Sequence, residues 1–241
     1  MAHDGAPPRL RTVGVVLAGG TGSRIGGATP KQLLEIAGRP LLVHTLTAFQ
    51  DSPDVDDVLV VMTPGFCDAV TALVARFGLS KVSAVVEGGA TRSASTLHAL
   101  NALGTDECNV LFHDAARPFV TPALIGACVR ALRSAEAVVV AVAPTDTLLE
   151  VDDDDVVVGV PDRRRLRRAQ TPQGFRLSTV RRAYDIAGAD ASADATDNCG
   201  VVRRHLPDVT IHVVEGSEAN IKVTSTTDLA IAEMLAERRH S

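Results

Sequence analysis

The stretch LAGGTGSRIGGATPKQ, Leu17 to Gln32, opens at the end of an apolar run and turns at once into glycine, at Gly19, Gly20, Gly22 and Gly26. An apolar strand that ends in a glycine-rich turn lets backbone approach a ligand closely. The N–H groups of such a turn form a concave anion site. Arg24 and Lys31 add two cations beside it. The stretch therefore predicts a first buried strand, Thr12 to Leu17, feeding a loop that holds a polyphosphate. It is neither of two common phosphate loops. A dinucleotide fingerprint needs a third glycine where Ile25 stands, which disfavours an NAD(P)-dependent oxidoreductase. A Walker A loop needs G-K-[ST] where the chain has Pro30-Lys31-Gln32.

Working outward, short β-branched runs predict strands at Asp57 to Met62, Val82 to Glu87, Val110 to Phe112, Ala137 to Ala143 and Thr210 to Val214. Apolar spacing and end signals predict helices between them. These run from Pro40 to Gln50, Phe66 to Phe77 (closed by Gly78), Thr91 to Leu103 (stopped by Gly104), Thr121 to Arg133 and Leu177 to Ala187. A last helix is expected from a cap at Thr226 or Thr227 to Arg238. Gly188 to Ala195 reads as a flexible loop, and Met1 to Arg11 as a disordered polar arm. Alternating strands and helices predict an α/β fold with a doubly wound, mostly parallel sheet, which binds ligands beyond the carboxyl ends of its strands. Three loops of unusual composition fall there: Gly19 to Lys31, Gly88 to Ser95 and His113 to Pro118.

The rhythm breaks between Asp146 and Arg168. Four consecutive aspartates, Asp152 to Asp155, precede five arginines within Arg163 to Arg168. A projecting strand pair joined at the aspartates fits this pattern. Both charge runs read first as solvated surface. The sharper reading has the hairpin pack on a partner subunit and lend it an arginine.

Composition bounds the rest. The 241 residues are 46% apolar but hold no Trp, one Tyr and six Phe, so the core is aliphatic, as suits a sheet covered by helices. A net charge of −5 argues against general nucleic-acid binding. The four cysteines form no C-x-x-C pair, which argues against zinc and for reduced thiols in the cytoplasm. No stretch is long and apolar enough to suggest a signal peptide or a membrane span.

Single motifs remain open. Gly88-Gly89 followed by Arg92 and Ser95 suits a flat base edge read by backbone and hydroxyl. Asp114 at a strand end suits Mg²⁺ or a substrate hydroxyl. Arg117 is a phosphate candidate. His113 reads as an orienting or partly buried histidine with no catalytic role, and Lys222 on spacing alone as an exposed lysine.

Taken together, G-x-G-x-R with P-K-Q, GGATRSAS (Gly88 to Ser95), HDAARP (His113 to Pro118), TDT (Thr145 to Thr147), Asp162-Arg163, TPQ-x-F (Thr171 to Phe175), Thr196-Asp197 and NIKVT (Asn220 to Thr224) resemble the 2-C-methyl-D-erythritol 4-phosphate cytidylyltransferase family. The chain departs from that pattern at Ala90 and at Asn198-Cys199, where the family usually carries acidic residues. The resemblance implies one Rossmann-like nucleotidyltransferase domain over residues 1–241, with a β-arm at about 145–168 that swaps across a homodimer. It implies Mg²⁺-assisted joining of CTP to methylerythritol phosphate with release of pyrophosphate. Arg24, Lys31 and Lys222 would then act on the reacting phosphates. CTP would lie on Ala18, Gly19, Gly20, Thr21, Gly22, Gly88, Gly89, Ser95 and Asp114. The polyol phosphate would be held by Asp114, Arg117, Thr147, Arg163, Thr196 and Lys222, with Asp114 the candidate metal ligand. Another polyol phosphate such as ribitol 5-phosphate, a phosphonate, or a catalytically silent nucleotide-binding module are the competing readings. The acceptor's phosphate is itself the nucleophile, so positioning and electrostatics carry such a reaction and no general base is needed.

Overall fold

The computed structural model describes residues 9–20, 30–188 and 197–240. Strand β1 (Thr12–Ala18) is buried along its whole length. It is followed by a 3₁₀ turn at Lys31–Leu33, then a small hairpin of β2 (Glu35–Ile36) and β3 (Arg39–Pro40), then helix α1 (Leu41–Gln50). Next come β4 (Asp57–Met62), α2 (Cys67–Arg76), β5 (Val82–Glu87), α3 (Arg92–Ala102), β6 (Asn109–Asp114), α4 (Pro122–Ala131) and β7 (Ala137–Val142). Gly78 and Gly104 follow α2 and α3 at φ of 63° and 71°, a conformation that favours glycine, as the sequence predicts. The arm is a hairpin of β8 (Glu150–Val151) and β9 (Val157–Gly159) that turns at the aspartates. The chain closes with β10 (Arg168–Arg176), α5 (Leu177–Ala187), α6 (Asn198–His205), β11 (Ile211–Glu215) and α7 (Thr226–His240).

The seven-stranded sheet has the order β11-β7-β10-β6-β1-β4-β5. Its pairs are parallel except for those of β10, which is antiparallel to both β6 and β7. Side chains alternate across it. Val13, Val15 and Leu17 of β1 pack with Phe112, Phe175 and the inner faces of α3, α5 and α6. Val16 and Ala18 face the other way, against Leu42, Leu46 and Phe49 of α1 and Ile125 and Val129 of α4. Each fully buried Phe or Leu contributes about 2 kcal/mol through apolar burial. A third cluster joins Ile36, Leu41 and Phe119 to Val223, Ala232 and Ala236, docking α7 beside the small hairpin.

From β1 the chain runs outward to β4 and β5, then returns to β6 on the other side of β1. That makes the carboxyl ends of β1 and β6 the topological switch point, where such sheets bind ligands. Leu17 lies opposite Asp114 there.

Five expectations are corrected. Strand β10 was not foreseen, because Pro172 and Gly174 demote a strand reading. Gly174 is nonetheless essential to it: a Cβ there would come within 2.8 to 3.0 Å of Val138, Leu111 and Leu132 side-chain atoms. The register shifts between Ala169 and Gln173, and the Thr171-Pro172 peptide is cis. Helix α6 was also missed; it is short and begins at an Asp197 cap. Strand β6 runs past Phe112 through His113 and Asp114, which are buried rather than in a loop. Helix α7 is capped from Ser225, not Thr226 or Thr227: Asp228 N–H donates to Ser225 Oγ (3.1 Å), and Ser225 N–H donates back to the Asp228 carboxylate (2.9 Å). Of the expected N-terminal arm, the described part is held: Arg9 pairs with Asp56, and Arg11 Nε lies 2.6 Å from Asp57 Oδ2. Gly188 to Ala195 lies almost wholly outside the described residues.

Candidate active site

The two glycine turns meet at one serine. Ser95, in the first turn of α3, accepts the Gly89 N–H on its hydroxyl at 3.1 Å. A Cβ on Gly19 would stand 3.1 Å from that same oxygen, and one on Gly88 2.9 Å. A Cβ on Gly89 would strike Ala94 Cβ at 2.3 Å, so only glycine lets this turn fold back on the helix. Thr91 fixes the helix start by accepting the Ala94 N–H.

Gln32 holds the first turn from beneath. Its Nε2 donates to the carbonyls of Ala18 (3.0 Å) and Gly20 (2.8 Å). Gly19, Gly20, Lys31, Gly89, Ser95, Asp114 and Lys222 line a cleft of about 320 Å³. Ala18 and Gly88, expected beside the nucleotide, are buried below it. Ala18 packs into the core with its carbonyl bonded to Gln32 and Thr63. Lys31 Nζ donates to the Val223 carbonyl at 2.9 Å, so the first loop and the NIKVT segment close on each other. Thr21, Gly22, Arg24 and Thr196 lie outside the described residues.

A second hollow of about 190 Å³ adjoins the first. Gln170, Thr171, Gln173 and Asp197 line it, with Arg117, and it shares Arg92, Asp114 and Lys222 with the larger cleft. Asp114 is thus the wall between the two. Arg92 Nη1 pairs with its Oδ1, Lys222 Nζ lies 2.9 Å from Oδ2, and Arg117 Nε is 4.0 Å away. Burial alone would favour the neutral acid, but Arg92 and Lys222 outweigh it and hold the carboxyl well below the usual range.

The HDAARP turn is pinned by neutral hydrogen bonds. His113 is fully buried, with Nε2 3.1 Å from the Arg117 carbonyl and Nδ1 2.9 Å from Thr171 Oγ1. A carbonyl only accepts, so Nε2 carries the proton and Nδ1 accepts from the Thr171 hydroxyl. That hydroxyl accepts in turn from the Asp114 N–H at 3.1 Å. Burial lowers the His113 pKa to about 4, keeping the ring neutral. The orienting role expected for His113 is what the geometry shows. Arg117 gives its guanidinium to the carbonyls of Asn220 (2.8 Å) and Ala169 (3.4 Å), tying the turn to the NIKVT segment and β10.

The sequence assigned no role to Gln173 of the TPQ motif. It donates to Asp197 Oδ2 (2.7 Å) and accepts the Asn198 N–H (3.2 Å), bolting the start of α6 to β10. Asn198 itself is fully buried and accepts from Thr96 and Tyr184, so it faces the core. Its departure from the family's acidic residue therefore falls in the packing, not in the hollow. A polar run after an arginine cluster gives no local sign of this use; the signal was TPQ itself.

Thr147 and Arg163 line neither hollow. Both are exposed near the arm, where Arg163 Nη1 bonds the Thr145 carbonyl at 2.9 Å. Among the described residues no group of three His, Cys, Asp or Glu could hold a metal. Among the described residues Asp114 is the one carboxylate lining the cleft, and its oxygens are bonded to Arg92 and Lys222. This donor set does not fit a divalent ion held by the protein alone.

A glycine-rich, cation-lined cleft at the switch point, with a second polar hollow across one aspartate, defines an α/β nucleotidyltransferase. Residues 12–238 match the family model described as 2-C-methyl-D-erythritol 4-phosphate cytidylyltransferase, and the chain belongs to that family of enzymes. It is 48% identical over 233 residues to a protein of that name from Thermobifida fusca, covering 94% of each chain. It is 37% identical over 232 residues to a Haemophilus influenzae bifunctional ribulose 5-phosphate reductase/CDP-ribitol pyrophosphorylase, covering 95% of this chain and 49% of that protein. The solved structure of 4-diphosphocytidyl-2C-methyl-D-erythritol synthase from Anaerococcus prevotii is similar with a TM-score of 0.82 at 28% identity, covering 96% of this chain and 100% of that one.

Proposed function

We propose that the larger cleft takes CTP and the adjoining hollow takes 2-C-methyl-D-erythritol 4-phosphate, so that the acceptor's phosphate attacks the α-phosphorus of CTP across Asp114. One P–O bond forms from the acceptor phosphate to the α-phosphorus. The bond from the α-phosphorus to the bridging oxygen breaks, and pyrophosphate leaves with its electron pair. The product is 4-diphosphocytidyl-2-C-methyl-D-erythritol, and no proton need move. The observation that carries this reading is the pair of hollows sharing Arg92, Asp114 and Lys222.

The chemistry asks for little beyond aligning two anions and offsetting the charge that builds at phosphorus. Lys31, Lys222 and Arg24 supply that charge, while the first glycine turn offers backbone N–H groups to the triphosphate. Gly89 and Ser95 shape the base end, and Arg117 and Asp197 the acceptor end, with Thr196 assigned to the acceptor by the family resemblance. Mg²⁺ enters as part of the nucleotide substrate, carried by its phosphates.

We further propose a single domain that works as a cytoplasmic homodimer, its arm carrying Thr147 and Arg163 toward the partner's acceptor hollow. Exposed Leu149, Val156, Val157, Val158 and Val160 on the arm, 51 to 64% accessible, suit burial against a partner. Four unpaired cysteines suit a reducing compartment. Among the described residues no helix is long and apolar enough to cross a membrane.

The test is pyrophosphate release from Mg·CTP with methylerythritol phosphate, ribitol 5-phosphate and a phosphonate as acceptors. The reading expects turnover on the first and a loss of about 10²-fold or more in Lys31→Ala, the scale for one transition-state charge contact. Turnover on ribitol 5-phosphate alone, the acceptor class suggested by the Haemophilus protein's name, would replace the acceptor. Unchanged activity in Lys31→Ala would overturn the role of that lysine.

A further inference from the structure

Asp114 is bonded to two cations of unlike character, with Arg117 a more distant third. Arg92 is the first residue of α3, where a cation opposes the helix dipole. Helix stability therefore does not explain it. Its side chain is 26% exposed, one Nη pairs with Asp114, and its Nε is buried without a partner. Lys222 is 44% exposed at the end of a flexible stem, and it faces both hollows. Arg117 Nε stands 4.0 Å from Oδ2, beyond hydrogen-bond reach, while its Nη atoms serve two carbonyls, and His113 is a neutral ring bonded at both nitrogens.

A buried carboxylate that loses its last partner is strongly destabilised. A lysine that is the only cation hydrogen-bonded to Asp114 is therefore held there against the pull of a phosphate. With a second, fixed cation in place, the same lysine is released at little cost.

We propose that Arg92 is a positioning residue, the standing counterion of Asp114, and that its presence frees Lys222 to move from Asp114 Oδ2 to the substrate phosphates. This rests on the cytidylyltransferase reading above. Arg92 acts through Lys222 and Asp114 and carries no phosphate contact of its own.

The experiment pairs steady-state kinetics with CTP calorimetry on Arg92→Met, Arg92→Lys, Lys222→Ala and Asp114→Asn, and on two double variants. Arg92→Met is expected to lower kcat by about 10²-fold while the Kd for CTP changes by less than about threefold. Arg92→Lys keeps the charge and retains most of kcat. Arg92→Met/Lys222→Ala is expected to be no worse than Lys222→Ala alone, since both lose the same lysine. Arg92→Met/Asp114→Asn should exceed Arg92→Met, because the lysine has no carboxylate left to hold it. Losses that multiply in the first double variant overturn the proposal. So does an Arg92→Met protein with intact kcat and weakened CTP binding, the mark of a direct nucleotide ligand. If Arg92→Met does not fold, Arg92→Lys carries the test, and a loss of about 10²-fold there overturns it. A wild-type protein that binds CTP but turns over no acceptor would overturn the functional reading instead.

Discussion

Acid sensitivity should trace to His113 before it reaches any carboxylate. The ring's pKa falls from 6.5 to about 4 on folding, because burial disfavours the charged form. The folded state thus binds fewer protons than the unfolded chain between those values. Its stabilising effect is complete above about pH 6.5 and is lost as pH falls from 6.5 toward 4. The drop corresponds to about 3 kcal/mol in total, of which about 2 kcal/mol is lost by pH 5. Asp114, held well below the usual range, titrates under this window and does not confuse it. Urea unfolding of wild type and His113→Gln at pH 7.5 and pH 5 tests the point by linear extrapolation. Wild type should lose about 2 kcal/mol more than the variant across that interval. Equal losses, or an imidazole pKa near 6 by NMR in the folded protein, would refute the argument. Either result would mean that burial does not hold the ring neutral.

Two further predictions come from the same geometry. Gly89→Ala places a methyl 2.3 Å from Ala94 Cβ, so the second glycine turn must shift. CTP affinity should fall about tenfold or more by calorimetry, the scale for disturbed positioning, with acceptor KM little changed; an unaltered Kd would show that the turn does not frame the base. Ser225→Ala removes the reciprocal cap of α7 and should lower stability by about 1 kcal/mol in chemical denaturation. An unchanged midpoint would mean that Asp228 alone suffices.

What the sequence by itself determined was local. Apolar runs, glycine stops and threonine caps defined β1, β4, β5, α2, α3, α4 and α5 closely, because each is set by neighbours a few residues away. The same local chemistry marked the glycine turns, Lys31 and Asp114 as residues to watch. The motifs together were specific enough to identify the family. Position within the site was another matter. Strand β10 exists because β6 and β7 offer it two free edges and a gap that only Gly174 fits. Pro172 and Gly174 argue against it in isolation. Its insertion carries Thr171 to His113 and Gln173 to Asp197, bonds between residues 58 and 24 positions apart. Lys222 read as a bland exposed lysine and became a partner of Asp114 only when α7 docked beside the small hairpin. The glycine stretch announced a polyphosphate loop. That Asp114 would stand between two hollows, bonded to Arg92 and Lys222, was decided by long-range pairing, which no window along the chain contains.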